Sequence, residues 1–390
     1  MDVVNVALEN SPLANLINSS EPVDVFSYGV ENTNTFSKQR AEVVATGAAL
    51  NQECSVDVPK YGILTKIIAR VDFTQATAVA RTGAQGLNML DYIELASSNR
   101  VIARQSQKGL TGILSAMSTD QEAQVAAGMN TSTAVAANKL AFIPFYFHLA
   151  ADARGDQTEN NYRGCLDTRF VENLTVRMKL QAANNWDGNG GAGSLNAISF
   201  IFHYIVPAED TYRSLEEKNY SSGPLNILSL NEFAESSKTI TNGDTSETIS
   251  LNSNGLVKRM FIHIEDASAT TFGGDAAGDL VDRRLSNAIT KITLNGSGRE
   301  IYSIYGPELQ FLDNINKSSD TTSSYVLDFS AMPNKSGFTG GLSLREIANA
   351  ELVVTFADPG ENATLTVVNQ QWEMLSINPS NGRISVSLSS

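Results

Sequence analysis

From Tyr61 onward the chain alternates apolar and polar residues with a period of two. In Leu64-Thr-Lys-Ile-Ile-Ala-Arg-Val-Asp-Phe73, Ile67, Ala69, Val71 and Phe73 share one face. Lys66, Arg70 and Asp72 take the other, with Ile68 as the apolar exception. Such alternation predicts a half-buried β-strand. Leu174-Thr-Val-Arg-Met-Lys-Leu180 repeats it, and Met260, Ile262 and Ile264 alternate with Arg259, His263 and Glu265. Further strands are predicted over Met89–Leu95, Arg100–Gln105, Leu140–Leu149 and Ile198–Val206. Ser97-Ser98-Asn99, the run from Asn184 to Gly188, and Pro207 supply the turns between them. Ser115–Asn138, rich in Ala, Ser and Thr, reads as a long loop with at most a helical turn. In the polar stretch from 208 to 250, Ser214–Lys218 and Leu230–Ser237 read as short helices, and Thr241–Thr248 as an exposed turn.

The layout repeats. Leu64-Thr-Lys-Ile-Ile-Ala-Arg-Val is echoed by Leu256-Val-Lys-Arg-Met-Phe-Ile-His. The turn Ser97-Ser98-Asn99-Arg100 is echoed by Gly296-Ser297-Gly298-Arg299. Strong strands at Leu174–Leu180 and Glu351–Phe356 follow, and apolar strands at Ile198–Val206 and Leu365–Trp372 close each half. Many short strands, long loops and little helix predict an all-β chain of two tandem eight-stranded antiparallel jelly rolls with short helices in loops. The expected organisation is an N-terminal arm over 1–50, a first jelly roll over 51–210, a connector over 211–250, and a second roll with a C-terminal extension over 251–390.

Composition narrows the function. The 390 residues suffice for two domains, and 42% hydrophobic content excludes an intrinsically disordered chain. The net charge is −14, which repels phosphate and argues against direct nucleic-acid binding. The first 37 residues carry only acidic charges, at Asp2, Glu9, Glu21, Asp24 and Glu31, so they do not form a basic packaging arm. Cys54 and Cys165, 111 positions apart, read as free thiols in a reducing compartment. The N-terminus shows no secretory signal pattern, and the apolar stretch Leu140–Ala151 is too short to span a membrane.

No motif carries chemistry. Gly188-Asn-Gly-Gly-Ala-Gly193 has the letters of a dinucleotide loop, but the residues after it read as a strand, not the helix that would face a pyrophosphate. His148, His203 and His263 are scattered over strands, without the company a metal site needs. Asp275, Asp279 and Asp282, like Asp187, lie in loops without the spacing of a calcium loop. Arg154-Gly155-Asp156 is a three-letter match of the kind chance produces, and the Asn-x-Ser/Thr triplets follow from composition. No catalytic, cofactor-binding or metal-ligating residue is assigned, no cofactor is expected, and the chain does not read as an enzyme.

Taken in order from Gly62 to Met374, the segments resemble the double jelly-roll major capsid proteins of tailless bacteriophages with an internal membrane, the tectivirus-like and autolykivirus-like groups. The resemblance runs through Gly62-Ile-Leu-Thr-Lys-Ile-Ile-Ala, Leu87-Asn-Met-Leu-Asp-Tyr-Ile-Glu-Leu, Asn99-Arg-Val-Ile, Ser115-Ala-Met-Ser-Thr-Asp, Phe145-Tyr-Phe-His-Leu-Ala and Leu174-Thr-Val-Arg-Met-Lys-Leu. It implies a structural protein that self-assembles as pseudo-hexagonal homotrimers into an icosahedral shell around a membrane. It further implies contacts with lattice neighbours, penton and minor capsid proteins, synthesis in the host cytoplasm, and residence in the virion. The N-terminal arm would face the viral membrane or its proteins, and Ile384–Leu388 would add a strand tying neighbours together. A phage spike or carbohydrate-binding tandem jelly roll, with Trp186 and Asp187 as its suggestive pair, is the alternative; a cupin-type enzyme ranks behind both.

Overall fold

The computed structural model describes residues 36–74, 89–98, 100–117, 138–147, 165–183, 193–207, 209, 213, 223–266, 289–309, 325–331, 340–358, 362–378 and 380–388. The first half contains β1 (Phe36–Val44), β2 (Glu53–Asp57), β3 (Ile63–Thr74), β4 (Leu90–Ser97), β5 (Arg100–Ser106), helix α1 (Gln107–Met117), β6 (Asn138–Phe145), β7 (Leu166–Asp167), β8 (Leu174–Leu180) and β9 (Ser194–Pro207). The second contains β10 (Leu225–Ala234), β11 (Lys238–Ile240), β12 (Ser246–Ser250), β13 (Leu256–Asp266), β14 (Ile289–Gly296), β15 (Arg299–Tyr305), β16 (Tyr325–Asp328), β17 (Leu342–Ser343), β18 (Glu351–Phe356), β19 (Ala363–Ile377) and β20 (Ile384–Leu388).

The strand pairings are antiparallel, and they form two copies of one pattern. The first roll has sheets β1-β9-β3-β6 and β2-β8-β4-β5, and the second has β10-β19-β13-β16 and β12-β18-β14-β15. Setting aside the short accessory strands β7, β11, β17 and β20, each half orders its eight strands 1-8-3-6 and 2-7-4-5. This is the jelly roll expected from the sequence, present twice. Each roll closes over its own core. Phe73, Phe200, Phe202 and Leu64 are fully buried in the first, and Met260, Ile262, Leu352 and Val367 in the second.

The clean alternation of β3 and β8 appears as alternating burial along both strands. The tight turns after β4 and β14 place Ser98 and Ser297 at positive φ. Short polar side chains tolerate that conformation better than β-branched ones. Pro144, which cannot donate to a ladder, sits in β6 at the edge of its sheet. Both cysteines are free, and burial pushes the Cys54 thiol up to about 11 and that of Cys165 up to about 12. No described helix is long and apolar enough to cross a membrane.

Three expectations are corrected. Residues 36–44, read as arm, form β1 and pair along their whole length with β9. Leu230–Ser237, read as a short helix in the connector, is strand through Ala234, because β10 completes its sheet by pairing with β19. The loop read from Ser115 overlaps the end of α1, which starts directly after β5. The expected added strand at Ile384–Leu388 is present as β20 and pairs with β19. The expected helix over Ser214–Lys218 lies outside the described residues.

The internal echo is also shifted by one residue. Each third strand carries a register break against its eighth, between Leu64 and Lys66 in one roll and between Val257 and Arg259 in the other. A bulge of this kind pins register. Leu64 therefore corresponds to Val257, and Lys66 to Arg259. Lys258, which the sequence echo aligns with Lys66, is the bulged residue; its ammonium lies 5.3 Å from the centre of the Trp372 ring.

Candidate functional site: the seam between the rolls and its matching surfaces

For a chain with two rolls and no catalytic motif, the informative site is where the rolls meet. The seam is built from β5 and α1 of the first roll and the outward face of β10, β13, β16 and β19 in the second. At its centre Ile113 of α1 packs with Phe261, Val326 and Val368. The helix reaches the sheet because Gly112 has no side chain: a Cβ there would lie 2.2 Å from the Phe261 ring. Gly109 does the same for Glu232, whose carboxylate would be 1.9 Å from an added Cβ.

Polar contacts frame this apolar centre. The Ser106 backbone N–H donates to Glu232 Oε2 at 2.7 Å, and the Arg104 N–H to Asn231 Oδ1 at 2.9 Å. Asn231 in turn donates to Glu373 at 3.0 Å. Lys108 of α1 donates to Thr366 Oγ1 at 2.9 Å and pairs with Glu265 at 3.1 Å. Arg259 and His263 on the outward side of β13 are only 3% and 2% exposed. Arg259 is ion-paired with Asp328 across the ladder to β16. A small cavity in the seam is bordered by Arg104, Glu232, Asn369 and Gln370.

The C-terminus adds a second tie. Leu375 and Ile377 at the end of β19, with Ile384 of β20, belong to the core cluster of the first roll. Arg100 donates to the Val386 carbonyl, and the Glu172 N–H to that of Gly382.

Burial sets the ionisation of the seam. Glu232 is held above the usual carboxylate range by desolvation, against the bonds from Ser106 and the charge of Arg104. Glu235 is raised likewise, although it accepts from the Asn252 and Ser253 N–H groups and from Asn369. A carboxyl whose folded value is raised binds more protons folded than unfolded, so its contribution to stability is lost as pH rises through that value. Glu232→Gln keeps an acceptor for Ser106 and removes the desolvated charge. It is expected to raise the melting midpoint at pH 8 by about 2–4 °C, with the gain shrinking toward pH 4. A scan showing no gain at pH 8 would contradict this.

Residues singled out in the sequence distribute as follows. His203 lies in β9, where burial and then the charges of Lys66 and Arg40 hold its imidazole below the usual range. His263 lies in β13 of the other roll, so the topology does not gather the histidines. Glu265, on the face of His263, is an interface residue through Lys108. Among the described residues, no three His, Cys, Asp or Glu side chains are placed to hold a metal ion. Gly193 immediately precedes β9, and no helix follows the glycine run. His148, Arg154-Gly155-Asp156, Trp186, Asp187, Gly188 to Ala192, and Asp275, Asp279 and Asp282 lie outside the described residues. The seam residues do not stand out in the sequence, where a buried Arg259 or Asn369 looks like any surface residue.

The fold defined by these sheets is the double jelly roll, that of viral major capsid proteins. A structure of the PBCV-1 virus capsid matches with a TM-score of 0.71 at 13% identity, covering 92% of this chain and 98% of that one. The Faustovirus major capsid protein matches at 0.62 and 8% identity, covering 93% and 94%. The STIV major capsid protein matches at 0.57 and 14% identity, covering 87% and 96%. The likeness at these identities is one of fold. No protein-family model and no curated protein matches the chain.

Proposed function

We propose that the chain is a major capsid protein whose work is self-assembly into pseudo-hexagonal homotrimers and, from them, into an icosahedral shell. The observation that carries this reading is the fusion of two rolls of identical strand order through a packed seam. One chain thereby presents two similar units in a fixed relation, and three chains supply six. The end-to-end coverage of capsid-protein folds supports it. The finer proposal follows the ordered segments from Gly62 to Met374: a tailless phage with an internal membrane. The acidic residues ahead of β1 would contact membrane proteins or neighbouring subunits in preference to anionic lipid. A membrane between shell and genome is consistent with a chain of net charge −14.

Sedimentation of the purified chain tests the assembly unit. The expected particle has the mass of three 41.9 kDa chains and persists on dilution. A monomer at all accessible concentrations would overturn the proposal.

A further inference from the structure

The two rolls bury the same face to different extents. With the shared bulges aligned, Ile68 of β3 takes the place of Phe261 in β13. Ile68 is in register with Ile201 and Pro144, as Phe261 is with Val368 and Val326. In the second roll, α1 covers this triplet. In the first the cover is thinner: Ile201 is 5% exposed, but Ile68, Arg70 and Pro144 are only half-buried, Lys66 is exposed, and Leu140 further along β6 is 40% exposed.

The covering surface has a counterpart too. Helix α1 follows β5 without a break, and its Leu110 is buried in the first core. In the second roll a helical turn over 306–309 follows β15 directly, and its Leu309 is buried in the second core. On the outside of this unit Ile301, Tyr302 and Tyr305 are 46%, 40% and 62% exposed, the densest group of exposed large apolar side chains among the described residues. Isolated exposed apolar residues are ordinary, whereas a cluster marks a contact surface.

Each roll thus has a socket, the outward face of its 1-8-3-6 sheet, and a plug, its fifth strand with the turn that follows. Within the chain, the first plug fills the second socket. We propose that the remaining pair meets between copies: β15 and its turn seat on the outward face of β1, β3, β6 and β9 in a second copy of this chain. The inference rests on the capsid-shell reading and names the surfaces it uses. The contact continues the intrachain seam by the internal repeat. The outward rows of β1 and β3 carry Lys38, Arg40, Lys66 and Arg70 against Glu42 and Asp72, a basic excess in an acidic chain. Around β15 the charges are mixed: Arg299 precedes Glu300, Glu300 pairs with Lys291 of its own chain at 3.8 Å, and the charge of Glu308 acts on Tyr302. A head-to-tail contact of this type closes into a ring when its rotation permits; closure at three chains gives six rolls joined by six like seams.

The test uses the full chain with Ile68→Cys and Tyr305→Cys together, treated with a short bis-maleimide; the parent chain, whose own thiols are buried or half-buried, is the control. Covalent dimers and trimers on a denaturing gel are expected from the variant and not from the control. A second variant, Ile301→Asp with Tyr305→Asp, is expected to remain monomeric while keeping the β-sheet circular dichroism of the parent. Intact trimers that give no cross-link and tolerate both aspartates would overturn the assignment while the capsid reading stands. A parent chain that is itself monomeric would overturn both.

Discussion

Trp372→Ala is expected to be the most damaging single truncation in the chain, lowering stability by about 3–5 kcal/mol. Trp372 is fully buried in β19, a central strand of the larger sheet of the second roll. Its register partners are Leu230 and Leu256, and its indole N–H donates to the Gly340 carbonyl at 3.0 Å. Lys258 lies over its ring at the bulge. Alanine leaves a cavity where three segments converge and removes the donor that serves the Gly340 carbonyl, so transfer and cavity costs add. Calorimetry of the variant provides the check, and a loss below about 1 kcal/mol would mean that this strand is not the keystone of the second roll.

The second large effect is expected from Gly112→Val. A side chain at this position meets the Phe261 ring, so α1 must lift from the sheet or the ring must turn. Overpacking of this kind costs about 1–3 kcal/mol, more than the roughly 0.5 kcal/mol that valine gains over glycine within a helix. The specific signature is coupling. Combined with Phe261→Ala, the valine is expected to cost less than it does alone, because the space it needs has been vacated. Additive losses measured by denaturant unfolding would show that the helix does not rest on Phe261.

These two positions lie in parts of the fold that sequence patterning discloses unevenly. Strands β3 and β8 each turn one face to a core and the other to a wetter surface, so their alternation reads directly. Ile67, Ala69, Val71 and Phe73 suffice in β3, as Leu174, Val176, Met178 and Leu180 do in β8.

The first strand of each roll is illegible, for two different reasons. In β1 the outward positions Lys38, Arg40 and Glu42 are charged, and the inward Ala41 and Val43 are small, so an edge strand looks like a polar arm. In β10 the first roll meets Asn231 and Glu232, and Leu230, Asn231 and Glu232 follow one another without alternation. Helix α1 is hidden by Gly109 and Gly112, poor helix formers whose small size is what lets it approach the sheet. The seam is hidden because it buries polar residues such as Arg259, His263 and Asn369, which read in the sequence as surface positions. Strand periodicity is local information, and docking between rolls is not.

If the chain is one third of a six-lobed ring, negative-stain class averages of the purified protein, viewed down the symmetry axis, test that most directly. Six lobes around a threefold centre are predicted. Monomers, or compact particles without that outline, would contradict it.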